Sequence, residues 1–449
     1  MSARDGQLRG AGRRRLTAWT CAAVVAVATP LLVEACSKSS TAPPVGRNNA
    51  QVVVVLGDHQ AGLAGFGVNV RPAVVVTDTT GVAIVGATVT FAVTGGGGSV
   101  TGATATTNAT GVAQVGKWTL GGSAGINTLR ASVSGAGLVG TPATITDTAV
   151  AGSYTIQVQF YGPTPSAATQ AAVAAAVAKW QQIIYRAVGS IALNKGAGLC
   201  GAGEPAVNVT ITGLLILATF DSIDGPGKIL GQAAPCMVRT ANGLSALGVM
   251  EFDTADVAAL SANGALNAVM LHEMGHVIGF GILWGPPQPS IGVLANCIQD
   301  TSSAGNVRDT YFSCAKTRAA FDSIGGTSYT GAGLNPPGGR KVPVENCGAS
   351  SPAGCGTGTV NSHWREPVFH NELMTGYINA GANPLSVVSV AAQQDLGYTV
   401  NYDGADPYVQ AFAAPPAGGA PPLALGDDIR RGPIYLVEPS GRVKAVVRR

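Results

Sequence analysis

Leu271-His272-Glu273-Met274-Gly275-His276-Val277-Ile278-Gly279-Phe280 is the stretch around which the chain is organised. Residues four apart on an α-helix share one face, one turn above each other. His272 and His276 therefore offer two imidazoles to a single metal ion, and zinc is the usual occupant at this spacing. Glu273 stands beside a ligand rather than on the ligand stripe. Its carboxylate can reach a water on the metal, whose pKa zinc lowers to about 7, and act there as a general base. The context is helical: 265–278 has no proline, and Leu266, Ala268, Val269, Met270, Val277 and Ile278 supply apolar packing. Asn263-Gly264 is expected to start the helix, and Gly279 to end it in a left-handed conformation. The plain alternative is a core helix with incidental histidines. The chain has only five histidines, and two at ligand spacing around a glutamate favour the metal site.

A catalytic zinc takes three protein ligands and keeps one position open. Downstream of the helix only His363 and His370 remain. Both lie in Ser362-His363-Trp364-Arg365-Glu366-Pro367-Val368-Phe369-His370-Asn371-Glu372-Leu373-Met374-Thr375-Gly376-Tyr377, and spacing alone chooses neither.

Length and composition bound the rest. With 449 residues there is room for two or three domains, and 46% hydrophobic content excludes general disorder despite 62 glycines. Charged residues make up 11%, well below the roughly 25% of average globular chains. The net charge of +3 resides largely at the two ends. There is no basic stripe and no aromatic stacking platform, so nucleic acid is not an expected partner.

The first residues read as an export signal, with Arg9 and Arg13-Arg14-Arg15 before an apolar run from Leu16 to Val33. Val33-Glu34-Ala35-Cys36 is similar to a bacterial lipoprotein processing box, although Glu34 is unusual in one. A lipidated Cys36 would attach the chain to a membrane at the cell envelope or cell surface; cleavage without lipidation would release it. Six cysteines remain after Cys21 and Cys36, an even number that suggests disulfides in an exported chain. Pairing of sequence neighbours would join Cys200 to Cys236, Cys297 to Cys314 and Cys347 to Cys355, one of fifteen connectivities.

From Gln51 the chain turns to short β-branched runs: Gln51 to Leu56, Val68 to Thr77, Ala87 to Thr94, Val112 to Leu120, Asn127 to Ser134 and Thr141 to Thr148. Strands at this spacing suggest a two-sheet sandwich of immunoglobulin type, here without cysteine. Val85-Gly-Ala-Thr-Val-Thr-Phe91, Gly95-Gly-Gly-Gly-Ser-Val100, Asn108-Ala-Thr-Gly-Val-Ala113 and Trp118-Thr-Leu-Gly121 resemble bacterial Ig-like domains of the invasin and intimin kind. That resemblance implies a spacer or an adhesive module.

After Gly152 the pattern becomes mixed. Tyr154 to Tyr161 alternates as a strand, Pro165 to Val188 is helical, Val207 to Phe220 and Gly248 to Asp253 are strands, and Thr254 to Leu260 is helical. A strand ahead of the metal helix could wall a cleft and hold an extended peptide by main-chain pairing. His272-Glu273-x-x-His276-x-x-Gly279-Phe280, Ser362-His363-Trp364 and Glu372-Leu373-Met374-Thr375-Gly376 together resemble the leishmanolysin family of metzincin endopeptidases. Ile223-Asp224-Gly225-Pro226-Gly227, Leu230-Gly231-Gln232-Ala233 and Asp395-Leu396-Gly397-Tyr398 extend that match, which covers about Tyr154 to Tyr408. Compact metzincins carry the third histidine three residues after the helix-ending glycine, where this chain has Ile282. The leishmanolysin family interposes an insertion instead, in keeping with the loop-rich stretch from Ile282 to Asn361.

The resemblance implies one zinc held by His272, His276 and His363, with Glu273 as the catalytic base. It places Met374 in a tight turn beneath the metal, as an apolar support rather than a ligand. Glu372 is a weaker ligand candidate, because Asn371-Glu372-Leu373-Met374-Thr375 loosely resembles the glutamate-donating pattern of thermolysin-like enzymes. Those enzymes lack the glycine helix end and the Ser-His-Trp segment.

The expected organisation is multidomain: signal peptide 1–35, tether 36–49, all-β Ig-like sandwich 50–151, α+β metzincin-type zinc protease domain 152–412, and linker with C-terminal tail 413–449. Ile434 to Val447 reads as a final strand pair. The expected activity is zinc-dependent hydrolysis of protein or peptide substrates. Its rival is a surface-binding lipoprotein that keeps a protease-like domain for recognition. No separate inhibitory propeptide is evident, which leaves 50–151 as the one candidate to shield the cleft.

Overall fold

The computed structural model describes residues 49–135, 138–285, 296–300, 310–329, 342–346, 359–409 and 422–447. The export signal, Cys36 and nearly all of the tether, the Cys347–Cys355 pairing and linker residues 413–421 lie outside the described residues. Arg47–Arg449 is one compact unit, mostly β with few helices. Among the described residues no helix is long and apolar enough to cross a membrane.

The first hundred described residues form two main sheets and one short strand pair. One has the order Val139–Thr141, Asn49–Leu56, Ala73–Asp78, Val112–Gln114; the other is Ala61–Leu63, Ala143–Val150, Gly125–Ser134, Thr88–Gly95, Thr104–Thr106. Val74 and Val76 from the first sheet and Val89, Phe91, Leu129 and Ile145 from the second share one core with Trp118. The alternation along Thr88–Gly95, with Val89 and Phe91 buried and Thr90 and Ala92 exposed, is what one covered face requires. The expected single strand Val112 to Leu120 is broken in two. Val112–Gln114 pairs with Ala73–Asp78, whereas Lys117–Thr119 pairs with Ser99–Thr101. Gly116 lies between them, where a Cβ would stand 2.6 Å from the Thr101 carbonyl oxygen.

A six-stranded mixed sheet organises the remainder, in the order Ile156–Phe160, Leu214–Asp221, Ser245–Asp253, Gly231–Arg239, Ile434–Val437, Val443–Val447. The first three strands are parallel, and Gly231–Arg239 runs antiparallel to Ser245–Asp253. Leu214–Asp221 is apolar along its buried length except at Thr219, because both faces are covered. Leu214, Ile216, Ala218 and Phe220 face the helices, whereas Leu215 and Leu217 join a separate cluster beneath the hairpin Ile191–Lys195 and Val207–Ile211. The expected strand Val207 to Phe220 is thus two strands, interrupted at Gly213, where a Cβ would meet the Thr155 carbonyl oxygen at 2.0 Å.

The helix Ala167–Ile183, capped by Ser166 Oγ accepting from the Thr169 amide, packs against the helix Leu266–Ile278. Trp180 on the first donates its indole N–H to the Leu271 carbonyl of the second at 3.0 Å. Disulfides join Cys200 to Cys236 and Cys297 to Cys314.

Residues 422–447 are not the tail expected for 413–449. Ile434–Val437 pairs in parallel with Met237 to Arg239, and Val443–Val447 closes the sheet edge behind it. Ile434, Leu436 and Val447 are buried in the main core, which is why this segment returns to the domain.

The sandwich meets the mixed domain through Asn69, which donates to the Val400 carbonyl and accepts from the Tyr402 amide. Gly67 N–H and Lys117 both donate to Asp403, and Tyr185 donates its hydroxyl to the Ala61 carbonyl.

Candidate metal centre

The site helix, Leu266–Ile278, begins one turn after Asn263, whose side chain accepts from the Ala265 amide. It ends at Gly279, with φ of 128° and an amide that returns to the Gly275 and His276 carbonyls. A second anchor is Tyr398, whose hydroxyl donates to the Ile278 carbonyl at 2.9 Å. His272, Glu273 and His276 are fully buried on this helix.

Across an insertion of some eighty positions the chain brings His363 to the same place. The approach depends on Gly281, at φ +73°, where a Cβ would collide with the Ser362 carbonyl oxygen at 2.1 Å. Glu345 then donates its amide to the His363 carbonyl, and Trp364 donates its own to the Met374 carbonyl. Trp364 is held in an aromatic cluster with Phe280, Trp284, Phe312 and Phe369.

The three imidazoles converge through Nε2. His272 and His276 are 2.9 Å apart at these atoms, His276 and His363 3.0 Å, and His272 and His363 3.1 Å. Each Nδ1 faces a carbonyl: Leu373 for His272 at 2.7 Å, Phe280 for His276 at 3.0 Å and Thr359 for His363 at 3.1 Å. A carbonyl only accepts, so each neutral ring carries its proton on Nδ1 and turns an Nε2 lone pair inward. Three lone pairs aimed at one point repel each other, and a cation placed among them removes that repulsion. The spacing suits tetrahedral zinc, for which nitrogens at about 2.0 Å from the ion lie about 3.3 Å apart. Burial holds His272 below its ordinary range and His276 at about 4, so both are neutral, the form that ligates. Burial also opposes the charge on His363, but the neighbouring Asp428 raises it.

Asp428 completes the cluster. Its Oδ2 lies 2.9 Å from His363 Nε2, 3.3 Å from His272 Nε2 and 3.8 Å from His276 Nε2. Nothing in the sequence distinguishes Asp428 from its neighbour Asp427. The one available signal was the β-branched run after it, which returns the chain to the sheet.

Glu273 is buried, and neither of its carboxylate oxygens has a hydrogen-bond partner. Burial, reinforced by the charge of Asp428, drives its carboxyl well above the usual range. Met374 lies beneath the helix: a Cβ on Gly275 would stand 2.9 Å from Met374 Cε and 3.2 Å from its Sδ. Glu372 is committed elsewhere, accepting from the Met374 amide, the Ser386 amide and hydroxyl, and the Ser389 hydroxyl. It therefore shapes the Met374 turn and holds Ser386, whose side chain caps the helix Val387–Leu396. His370 is not a member of the cluster. Its backbone, at φ +46°, ends the short helix Glu366–Phe369.

Other sequence motifs serve as braces. Asp253 Oδ2 accepts from the Ile223, Asp224 and Gly225 amides, tying that loop to the sheet. Asp395 accepts from the Lys316 and Thr317 amides at the start of the helix Ala315–Ser323 and so docks part of the insertion. The outer side of the strand Gly231–Arg239 takes the chain's own residues 428–430. Ala233 donates to the Asp428 carbonyl at 2.9 Å, and the Arg430 amide returns a bond to Ala233 at 3.1 Å.

No family model matches the chain, and no curated protein matches it. Solved structures that match include the D00-D0 domain of Intimin, at 18% identity over 22% of this chain and 45% of that one, with a TM-score of 0.18. The D0-D1 domain of Intimin matches at 19% identity over 23% and 56%, with a TM-score of 0.16. A glycosyl hydrolase family 2 member from Bacteroides cellulosilyticus matches at 18% over 22% and 14%, with a TM-score of 0.18. The chain thus covers between 14% and 56% of the length of these structures, and the weak likeness to Ig-like domains of Intimin carries no functional argument.

Proposed function

We propose that the chain is a zinc-dependent endopeptidase of the leishmanolysin type, with a metzincin-type domain behind its Ig-like sandwich. The observation that carries this reading is the convergence of three Nε2 atoms beside a buried glutamate with no partner. His272, His276 and His363 would hold the ion, and their carbonyl-bound Nδ1 atoms fix the rings in the ligating orientation. A bound zinc would supply Lewis acidity to the scissile carbonyl and to the attacking water. Glu273 would take the proton from that water and deliver it to the leaving amine. Both of its carboxylate oxygens are without a hydrogen-bond partner, which leaves them free for this role. Met374 would support the ring plane from below without contributing a ligand.

The proposal includes export and attachment at the cell surface through lipid on Cys36, with the sandwich as a spacer. Metal analysis tests the centre. One zinc per chain is expected, lost in His363→Ala and retained in His370→Ala; the reverse pattern would overturn the ligand set. Glu273→Gln is expected to keep its zinc and lose cleavage of a denatured protein. Undiminished cleavage by that variant would rule out the assigned base.

A further inference from the structure

We infer that residues 422–433 are an internal inhibitor of this centre, a strap that lays the Asp428 carboxylate in the position that hydrolysis needs open. The inference rests on the hydrolytic reading of the site.

The strap crosses the histidines from one wall to the other. At one end Leu423–Ala424 pairs with Tyr377–Ile378, just past the Met374 turn, and Leu425 donates its amide to the Gly376 carbonyl. Thr359 Oγ1 donates to the Gly426 carbonyl, and Gln232 Nε2 to that of Asp427. At the other end Arg430 forms an ion pair with Glu251 at 3.0 Å and donates to the Cys200 carbonyl. Between these anchors the strap consumes the main-chain groups of Ala233 on the sheet edge. An extended substrate would need the same groups.

Asp428 is presented as a ligand and not as a cleavable bond. Its carbonyl is turned toward the Ala233 amide, so only the side chain faces the histidines. Its Oδ1 is buried without a partner, and the three ligand imidazoles and Glu273 are all 0% exposed. A peptide bond cannot reach these groups while the strap is seated. A closed site with four protein ligands is the arrangement of structural zinc. The buried, unpartnered Glu273 has no use in such a site, and it places the closure on a catalytic centre instead.

The test uses zinc-loaded full-length protein: wild type, Asp428→Ala, Asp428→Asn, and Arg430→Ala, which loosens an anchor while leaving Asp428 in place. Zinc per chain, calorimetric affinity for acetohydroxamate and hydrolysis of a peptide library are measured for each. Both Asp428 variants are expected to keep one zinc and to bind acetohydroxamate about ten-fold tighter or more than wild type. Arg430→Ala is expected to gain a smaller factor with zinc unchanged, and it carries the test should the Asp428 variants fail to fold. Loss of zinc on replacing Asp428 would make it a resident ligand and overturn the inference, as would unchanged hydroxamate affinity in every variant. Tighter hydroxamate binding without hydrolysis by any protein would uphold Asp428 as the occupant of the open position and defeat the peptidase reading. Wild-type hydrolysis equal to that of Asp428→Ala would do the opposite.

Discussion

The Met374 thioether packs onto the backbone of Gly275, in the turn of helix between His272 and His276. An added Cβ there would also meet Trp180 Cζ2 at 3.1 Å, so the helix is gripped from two sides. Gly275→Ala should therefore cost about 1–3 kcal/mol as an overpacked core and weaken zinc binding. Met374→Leu should cost less than about 1.5 kcal/mol and keep the metal. Urea unfolding with metal analysis separates the two, and zinc lost from Met374→Leu would make the sulfur a ligand.

Gly281 governs how closely Ser362-His363 approaches the end of the helix Leu266–Ile278. Its left-handed backbone and the 2.1 Å clearance to the Ser362 carbonyl oxygen leave no room for a side chain. Gly281→Ala is expected to displace Ser362-His363 and lower zinc affinity at least about ten-fold in a chelator competition. An unchanged affinity would mean that His363 is not held through this contact.

Glu372 accepts four hydrogen bonds within the core, from Met374, Ser386 and Ser389. Glu372→Ala leaves those donors unsatisfied and should destabilise the domain by about 3 kcal/mol or more. Folded Glu372→Ala should still carry one zinc. A folded variant without metal would return Glu372 to the ligand set.

The sandwich has its own pH dependence, centred on buried Asp147. Burial raises its carboxyl to about 6, against bonds from Gln60 that favour the charge. A folded-state pKa above the unfolded value means that stability is full below the unfolded value near 4 and declines as pH rises through about 6. Unfolding of the sandwich, followed by Trp118 fluorescence, should therefore be harder at pH 4.5 than at pH 7.5, values set about the two pKa limits. Asp147→Asn should flatten that difference whatever its absolute stability. A slope that survives the substitution would assign the effect to another group.

The helix Leu266–Ile278 was legible because its information is local. His272, Glu273 and His276 share a turn of helix, and Gly279 marks its end. The alternating runs of the sandwich and the buried strand before the helix were legible for the same reason: periodicity records which face is covered. Strand breaks at Gly116 and Gly213 were not, because they depend on how closely another chain segment approaches.

The sequence alone determined two histidines on one helical face beside a glutamate, and two rivals for a third ligand. Tertiary structure decided the rest. Folding placed His363 against the helix through Gly281, tied Glu372 to the helix Val387–Leu396, and returned residues 422–447 to the sheet. It also set Asp428 against His272, 156 positions away in the chain. Such a contact leaves no period and no spacing in the sequence. It is fixed by sheet pairing at Ala233 and by burial of Ile434 and Leu436, which carry the carboxylate over the histidines.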